Sequence, residues 1–382
     1  MNRESENEIY LHPTQDELSR QAFIINFKQK VNLSLQERIK NHVDDNLRNS
    51  IESEIGDSLN DLNREHRRIL KEKLSKEYLF KAWSSLTWIG QGMMWNCVEE
   101  TIDHDLPRLD KAAKDILGSN KKVGSLKLKD SFVPPANIAK VEIHRQPGGF
   151  CCERENEDFD IIAGARYTGG SMVYGAGKGR TAQAGYPPTP YLLESLEKQF
   201  GPQKPRKILD IGCGTGLATI SYARHYPQAE VFGIDVAPGL LRWGHLKAES
   251  EGFPVHFSQM NSANMDFDDE SFDLVVSTIW GHETTPSILK NSISEIWRVL
   301  KPGGISFHLD VPNQPGYQGL VDQVLNDWQI RNNGEPFWMG WADSDLSELM
   351  NLAGYPKNAQ FTGYKSRPFG TGEWFVHGVK KP

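Results

Sequence analysis

The residues with the most definite chemistry stand in one run, Asp210-Ile211-Gly212-Cys213-Gly214-Thr215-Gly216. Three glycines at alternate positions remove Cβ atoms where a chain must turn tightly, and they let backbone N–H groups approach a ligand at the start of a helix. The spacing is G-x-G-x-G, not the G-x-G-x-x-G of dinucleotide folds, which moves weight away from NAD. About 20 positions on, Asp235 closes the run Glu230–Ile234 and is placed to accept hydrogen bonds from ribose hydroxyls. A ribose-containing ligand is implied.

A second group of chemical side chains follows the later apolar runs. Ser277-Thr278-Ile279-Trp280-Gly281-His282-Glu283 leaves one strand, and His308-Leu309-Asp310 ends the next. His282 is the natural general base, with Glu283 orienting it or capping the helix that starts near Pro286; a purely structural histidine is an equal alternative. Asp310 is expected to face the same cleft, and His308 to pack inside the sheet. Tyr167 and Tyr174 lie in Gly164–Gly185, a glycine-rich segment without apolar periodicity, expected to be a mobile active-site lid. That segment does not fit the phosphate loop G-x-x-x-x-G-K-[ST]. Glu335 and Trp338 suit a pocket wall for a small polar or cationic group, beside the plainer reading of packing residues. The four cysteines, Cys97, Cys151, Cys152 and Cys213, show no C-x-x-C spacing, so no metal site is expected and a reduced, cytoplasmic setting is.

These residues need a scaffold, and the sequence supplies one. Short apolar runs at Lys207–Ile211, Glu230–Ile234, Val255–Gln259, Asp273–Thr278 and Ile305–Val311 alternate with helical stretches at Leu217–His225, Gly239–Glu251 and Ser287–Leu300. Such alternation specifies an α/β fold, a doubly wound and mostly parallel sheet with helices on both faces. Segments near Ala359–Tyr364 and Glu373–Val379 read as a closing antiparallel hairpin. Residues 1–130 hold 5 of the 34 glycines and 2 of the 21 prolines, a helical composition. Within them, Leu35, Ile39, Val43, Leu47, Ile51, Ile55 and Leu59 recur every four residues. That stripe drifts around a 3.6-residue helix, so it must wind or break, near Asn49–Ser50 or Gly56. Trp83, Trp88 and Trp95 form an aromatic cluster, read as core or as the lining of a pocket or interface. The chain divides into a helical cap or oligomerisation domain (1–130), a linker and glycine-rich lid (131–190) that includes a short strand at Val141–His144, and a catalytic domain (191–382) with an insertion at about 312–356.

The runs KILDIGCGTG (207–216), GIDVAPGLL around Asp235, FDDESFDLVVS (267–277) and EIWRVLKPGG (295–304) resemble the successive motifs of class I S-adenosylmethionine-dependent methyltransferases. The resemblance implies a Rossmann-like fold over about 190–382 and S-adenosylmethionine as cofactor. It places Asp210 and Gly212 at the amino-acid end of the cofactor, Gly214 and Gly216 at the close backbone approach, and Asp235 at the ribose. It puts Val236, Asn261 and Ser262 around the adenine, with Asn261 standing where the family commonly has an acid. Ser277 belongs to the same cofactor wall. Tyr167, Tyr174, Trp280, Glu335 and Trp338 are then substrate residues, and His282, Glu283 and Asp310 the catalytic set. A sulfonium already carries a good leaving group, so alignment of acceptor and methyl dominates such chemistry.

Composition limits the acceptor. A net charge of −7 without a basic stripe argues against nucleic acid, and no apolar stretch reaches the ~18 residues of a membrane span. The expected function is therefore methyl transfer to a small-molecule acceptor by in-line displacement, as in small-molecule biosynthesis. The alternatives are a cofactor-binding scaffold that performs no transfer, with the N-terminal helices making a homo-oligomer, and a methyltransferase acting on a macromolecule.

Overall fold

The computed structural model describes residues 9–57, 59, 63–155, 157–176, 189–313, 317–367 and 372–382. Its centre is an eight-stranded sheet of β1 (Ser125–Lys127), β2 (Lys207–Ile211), β3 (Glu230–Asp235), β4 (Val255–Gln259), β5 (Phe272–Thr278), β6 (Leu300–Asp310), β7 (Gln360–Ser366) and β8 (Glu373–Lys380). The spatial order is β1-β4-β3-β2-β5-β6-β8-β7. β1 to β6 are parallel, while β8 runs antiparallel between β6 and β7. The order reverses direction at β2, with β3 on one side and β5 on the other, and the carboxyl ends of these strands open the crevice where such sheets bind ligands. Central strands are apolar on both faces because helices cover both: Ile208, Leu209, Val231, Val255, Val275, Val276 and Phe307 are all fully buried.

The expected strands and helices of the catalytic part are found within one to a few residues of their sequence-derived bounds. Three other expectations are corrected. The stretch Val141–His144 is not a strand: it runs into a single 3-10 turn at Ile143–Arg145, where His144 and Arg145 both have φ of 57°. Residues 1–130 are not wholly helical, since Ser125–Lys127 pairs with His256–Ser258 at the sheet edge. The described part of the glycine-rich segment is a helix, Ile162–Ala176, not a loop; residues 177–185 of it lie outside the described residues. Its glycines serve close packing. A Cβ on Gly164 would stand 2.2 Å from Trp243 Cβ, one on Gly169 2.7 Å from Val98 Cγ1, and one on Gly170 2.9 Å from Trp95 Cη2. Small residues there let the helix lie directly on its neighbours, a reason for glycine that hydrophobic periodicity does not register.

In the N-terminal region, helix Gln15–His42 starts at a Thr14–Glu17 capping box and packs along the 40-residue helix Tyr78–Leu117. The four-residue stripe is accommodated at Val43–Leu47, where the helix widens to i→i+5 hydrogen bonding before Arg48–Ile55 resumes and ends at Gly56. A wider turn counts fewer degrees per residue and resets the drift, so Ile39, Val43, Ile51 and Ile55 all stay buried. The three tryptophans part company. Trp83 is fully buried beside Trp328, Trp88 is exposed under the Arg145 guanidinium, and Trp95 donates its indole N–H to the carbonyl of His144 at 2.7 Å. No helix among the described residues is long and apolar enough to cross a membrane.

Candidate active site

The glycine run leaves β2 through three left-handed residues, Gly212, Gly214 and Gly216, with φ of 61°, 52° and 72°. A Cβ at Gly212 would fall 1.9 Å from Trp280 Cδ1, whereas one at Gly214 meets no atom of the described residues within 4 Å. One glycine thus seats an aromatic ring and the other faces open cleft. Trp280 is aimed there by Ile279, a β-branched residue at φ 58°, a strained backbone held by an N–H···O bond to Leu309. Asp235 ends β3 with Oδ2 accepting from Gly214 N–H and Oδ1 from Ala237 N–H, both at 2.9 Å. Burial raises the Asp235 pKa against these backbone bonds.

Around these groups lies a cleft of about 760 Å³, counting its open mouth. Gly212, Gly214, Asp235, Val236, Asn261 and Ser262 line one part, and Tyr167, Trp280 and Glu283 another. Asn261 Oδ1 already accepts from Ala263 N–H at 2.9 Å, and an amide oxygen has a second lone pair for a ligand donor. Ser262 Oγ pairs with Ser292 Oγ at 2.8 Å.

Several expected site residues stand behind this wall. Gly216 is closed off by Phe257, 2.6 Å from where its Cβ would be. Ser277 is buried and pairs with His308 Nδ1 at 2.7 Å, while Ser306 takes the other ring nitrogen; burial pushes His308 down to about 3, so it stays neutral inside the sheet. Asp210 accepts from Thr219 at 2.7 Å. Burial pushes its carboxyl up to about 7, against the Thr219 hydrogen bond and with the added repulsion of Asp235. A carboxyl whose pKa is higher in the fold than in the unfolded chain favours the fold below about pH 4, and that contribution is lost as pH climbs through about 7. The thermal midpoint of Asp210→Asn relative to the unaltered protein should therefore increase between about pH 5.5 and about pH 8 in scanning fluorimetry. A difference that stays constant over that range would show that Asp210 does not titrate.

Glu283 belongs to a larger assembly beside the cleft. His282 is 2% exposed and turns Nδ1 to Asp310 Oδ1 at 2.5 Å, while Asp310 Oδ2 accepts from Gly281 N–H at 2.6 Å. Burial works against the imidazolium, but Asp310, Glu283 and Glu335 carry its pKa up to about 9. His144 spans two carboxylates, Nε2 to Glu283 Oε1 at 2.8 Å and Nδ1 to Glu335 Oε1 at 2.9 Å. Burial again opposes the charge, and the two glutamates raise His144 well above its ordinary value. Trp338 sets its ring 5.6 Å from that of His282. Tyr174 lies away from the described cleft lining; its hydroxyl donates to Gln91 Oε1 at 2.7 Å, Lys28 joins the same amide oxygen, and Gln91 Nε2 reaches the His144 carbonyl at 2.8 Å.

His282 thus stands behind Glu283, and Glu283 meets the cleft. Sequence reasoning missed His144, Gln91 and Phe150. Phe150 follows the Pro147–Gly149 turn and packs edge-on to Tyr167, with His144 on its other side. The available signal was the run His144-Arg145-Gln146-Pro147-Gly148-Gly149, whose turn residues mark a sharply folded chain.

A family model described as a methyltransferase domain matches residues 208–304. A demethylmenaquinone methyltransferase of Thermus thermophilus is 36% identical over 121 residues, 31% of this chain and 54% of that protein. This chain spans about half the length of the first such relatives. A solved S-adenosylmethionine-dependent methyltransferase of Aquifex aeolicus is 18% identical, with a TM-score of 0.36 over 51% of this chain and 94% of that one. A demethylmenaquinone methyltransferase of Geobacillus stearothermophilus is 33% identical over 195 residues, 48% of this chain and 82% of that protein. The chain belongs to the class I S-adenosylmethionine-dependent methyltransferases. In this chain the family motifs fall on β2, β3, β5 and the helix Pro286–Val299 leading into β6. The residues present suit the family's cofactor: an open-faced Gly214, a carboxylate at Asp235 on the end of β3, and described cleft-lining residues with two carboxylates and no Lys, Arg or His to repel a sulfonium.

Proposed function

We propose that this protein transfers a methyl group from S-adenosylmethionine to a small-molecule acceptor that is neutral or cationic. The observation that carries the reading is one continuous cleft in which the glycine turn, Asp235, Val236, Asn261 and Ser262 run directly into Tyr167, Trp280 and Glu283. When bound there, the cofactor supplies a methyl group on a positively charged sulfur. Asp235 holds the ribose hydroxyls, Val236 gives an apolar edge to the adenine, and Asn261 and Ser262 offer polar atoms to its rim. Trp280, wedged against Gly212, forms the floor between the cofactor half and the acceptor half.

The acceptor half has aromatic sides, Phe150, Tyr167 and Trp280, and one carboxylate, Glu283. Aromatic walls exclude water and orient a flat or cationic group, and the carboxylate anchors the acceptor's nucleophilic atom by a hydrogen bond. An anionic acceptor would face Glu283 and Asp235 with no compensating cation among the described lining residues. The demethylmenaquinone methyltransferase names of the relatives agree with a small acceptor. Asp310, His282 and Glu335 act as positioning residues that hold Glu283 and the turn that carries it.

Calorimetry with S-adenosylhomocysteine tests the reading. One site per chain is expected, and Asp235→Ala should weaken it by about 10- to 100-fold, the scale of losing two charge-assisted hydrogen bonds. A folded protein that binds neither this product nor S-adenosylmethionine would overturn the reading. Labelled methyl transfer to fractionated small molecules, with amines and phenols as the productive classes and phosphate esters inert, tests the acceptor half.

A further inference from the structure

The geometry points to a divalent transition-metal site formed by His144, Glu283 and Glu335, with His282 as a fourth donor. One ligand atom from each of the first three lies within 4.8 Å of the others. They come from three separate segments: the turn after Lys140, the loop after β5 and the insertion after β6. Converging buried charges from unconnected segments needs a reason, because each ionised group taken from water costs several kcal/mol unless its oxygens and protons are satisfied. Here they are not all satisfied. Glu335 is 3% exposed, and among the described residues its buried Oε2 has no hydrogen-bond partner; the buried Glu283 Oε2 likewise has none among them. Each glutamate spends Oε1 on His144 and leaves one oxygen for something else.

His282 strengthens the assignment. Its Nε2 points between the two glutamates, 3.6 Å from Glu283 Oε1 and 4.0 Å from Glu335 Oε2. Its Nδ1 is fixed by Asp310, the carboxylate–histidine arrangement that orients an imidazole toward a metal. The orphaned Glu335 oxygen faces this nitrogen at more than hydrogen-bond length. A cation of about 2 Å bond length between them would use both atoms and the spare oxygen of Glu283. Two imidazoles with two carboxylates select zinc, iron(II), cobalt(II) or manganese(II) over magnesium or calcium, which favour all-oxygen shells. His144 is braced for the task by Gln91 and Trp95, both of which donate to its carbonyl. Its lack of a sequence signature is expected of donors separated by 139 positions between His144 and Glu283 and 52 between Glu283 and Glu335.

Binding of the ion does not rest on the methyl-transfer reading; only its use there does, since Glu283 joins the site to the cleft. The test uses full-length protein stripped with chelator, titrated with cobalt(II) by absorption and with zinc by calorimetry. S-adenosylhomocysteine binding is measured on the same samples. The expected result is one ion per chain and a loss of at least 100-fold in metal affinity for Glu335→Gln, with product binding within threefold of the unaltered protein. The free cysteines offer an unrelated metal trap, which this near-isosteric substitution leaves untouched. Absence of stoichiometric cobalt or zinc uptake by protein that still binds S-adenosylhomocysteine would overturn the site. So would uptake that Glu335→Gln leaves unchanged. If Glu335→Gln fails to fold, Glu283→Gln carries the same expectation for metal affinity. Loss of product binding with metal uptake intact would count against the methyl-transfer reading alone.

Discussion

Gly212→Ala is expected to weaken S-adenosylhomocysteine binding by about 100-fold or more. A non-glycine residue in the left-handed region costs roughly 1–2 kcal/mol on its own. At Gly212, φ 61°, that cost is compounded because the new methyl would stand 1.9 Å from Trp280 Cδ1. Something must move, and both partners line the cleft: the glycine turn and the Trp280 indole. At 1.4 kcal/mol per tenfold, a combined penalty near 3 kcal/mol gives the expected loss. Calorimetry checks it, with circular dichroism to confirm that the sheet persists. Gly214→Ala is the informative comparison, since its Cβ would meet no atom of the described residues within 4 Å, so loss of binding beyond the backbone strain reports the cofactor itself. Binding within threefold of the unaltered protein for Gly212→Ala would show that Trp280 yields freely and does not define the wall.

Gly164→Val is expected to lower the thermal midpoint by about 3–6 °C. Helix Ile162–Ala176 lies on helix Pro238–Glu251 with Gly164 against Trp243, which is 1% exposed. A Cβ placed 2.2 Å from Trp243 Cβ meets the stem of the side chain, close to backbone, where no rotamer change relieves it. Overpacking of this kind costs about 1–3 kcal/mol, and a β-branched residue adds further bulk at the contact. One core cluster contains Trp243 and Leu246 together with Trp95, Val98 and Ile162, so the contact ties the N-terminal helices to the cofactor fold. Scanning calorimetry measures the shift, and a midpoint within 1 °C, less than about 1 kcal/mol for a chain of this length, would show that the helices can part without cost. Because Tyr167 sits on the same helix, a fall in turnover with unchanged product affinity would accompany the loss of stability.

The two substitutions separate what local sequence makes legible from what it does not. The glycine turn and Asp235 act through backbone conformation and a single side chain close in sequence. Positive φ, helix start and strand end are all written in residues 207–235, and the parallel order followed from the alternation of short apolar runs with helices. The glycines at 164, 169 and 170 carry the opposite lesson. Their composition resembles a loop, and their purpose is visible only against Trp243, Val98 and Trp95, residues 71 to 79 positions away.

The acceptor side depends still more on tertiary structure. His282, Glu283, Asp310 and Glu335 were nameable as chemical residues, but their division of labour was not. Asp310 and His282 are tied to each other behind the wall, and Glu283 takes the front. His144, placed by a left-handed turn that its own sequence does not demand, becomes the bridge between two glutamates. Sequence by itself determined the α/β scaffold and the glycine turn after β2, because helix and strand periods and glycine conformations are local properties. Only the tertiary structure decided which buried charges meet, because desolvation and pairing depend on distances between segments that the chain order leaves free.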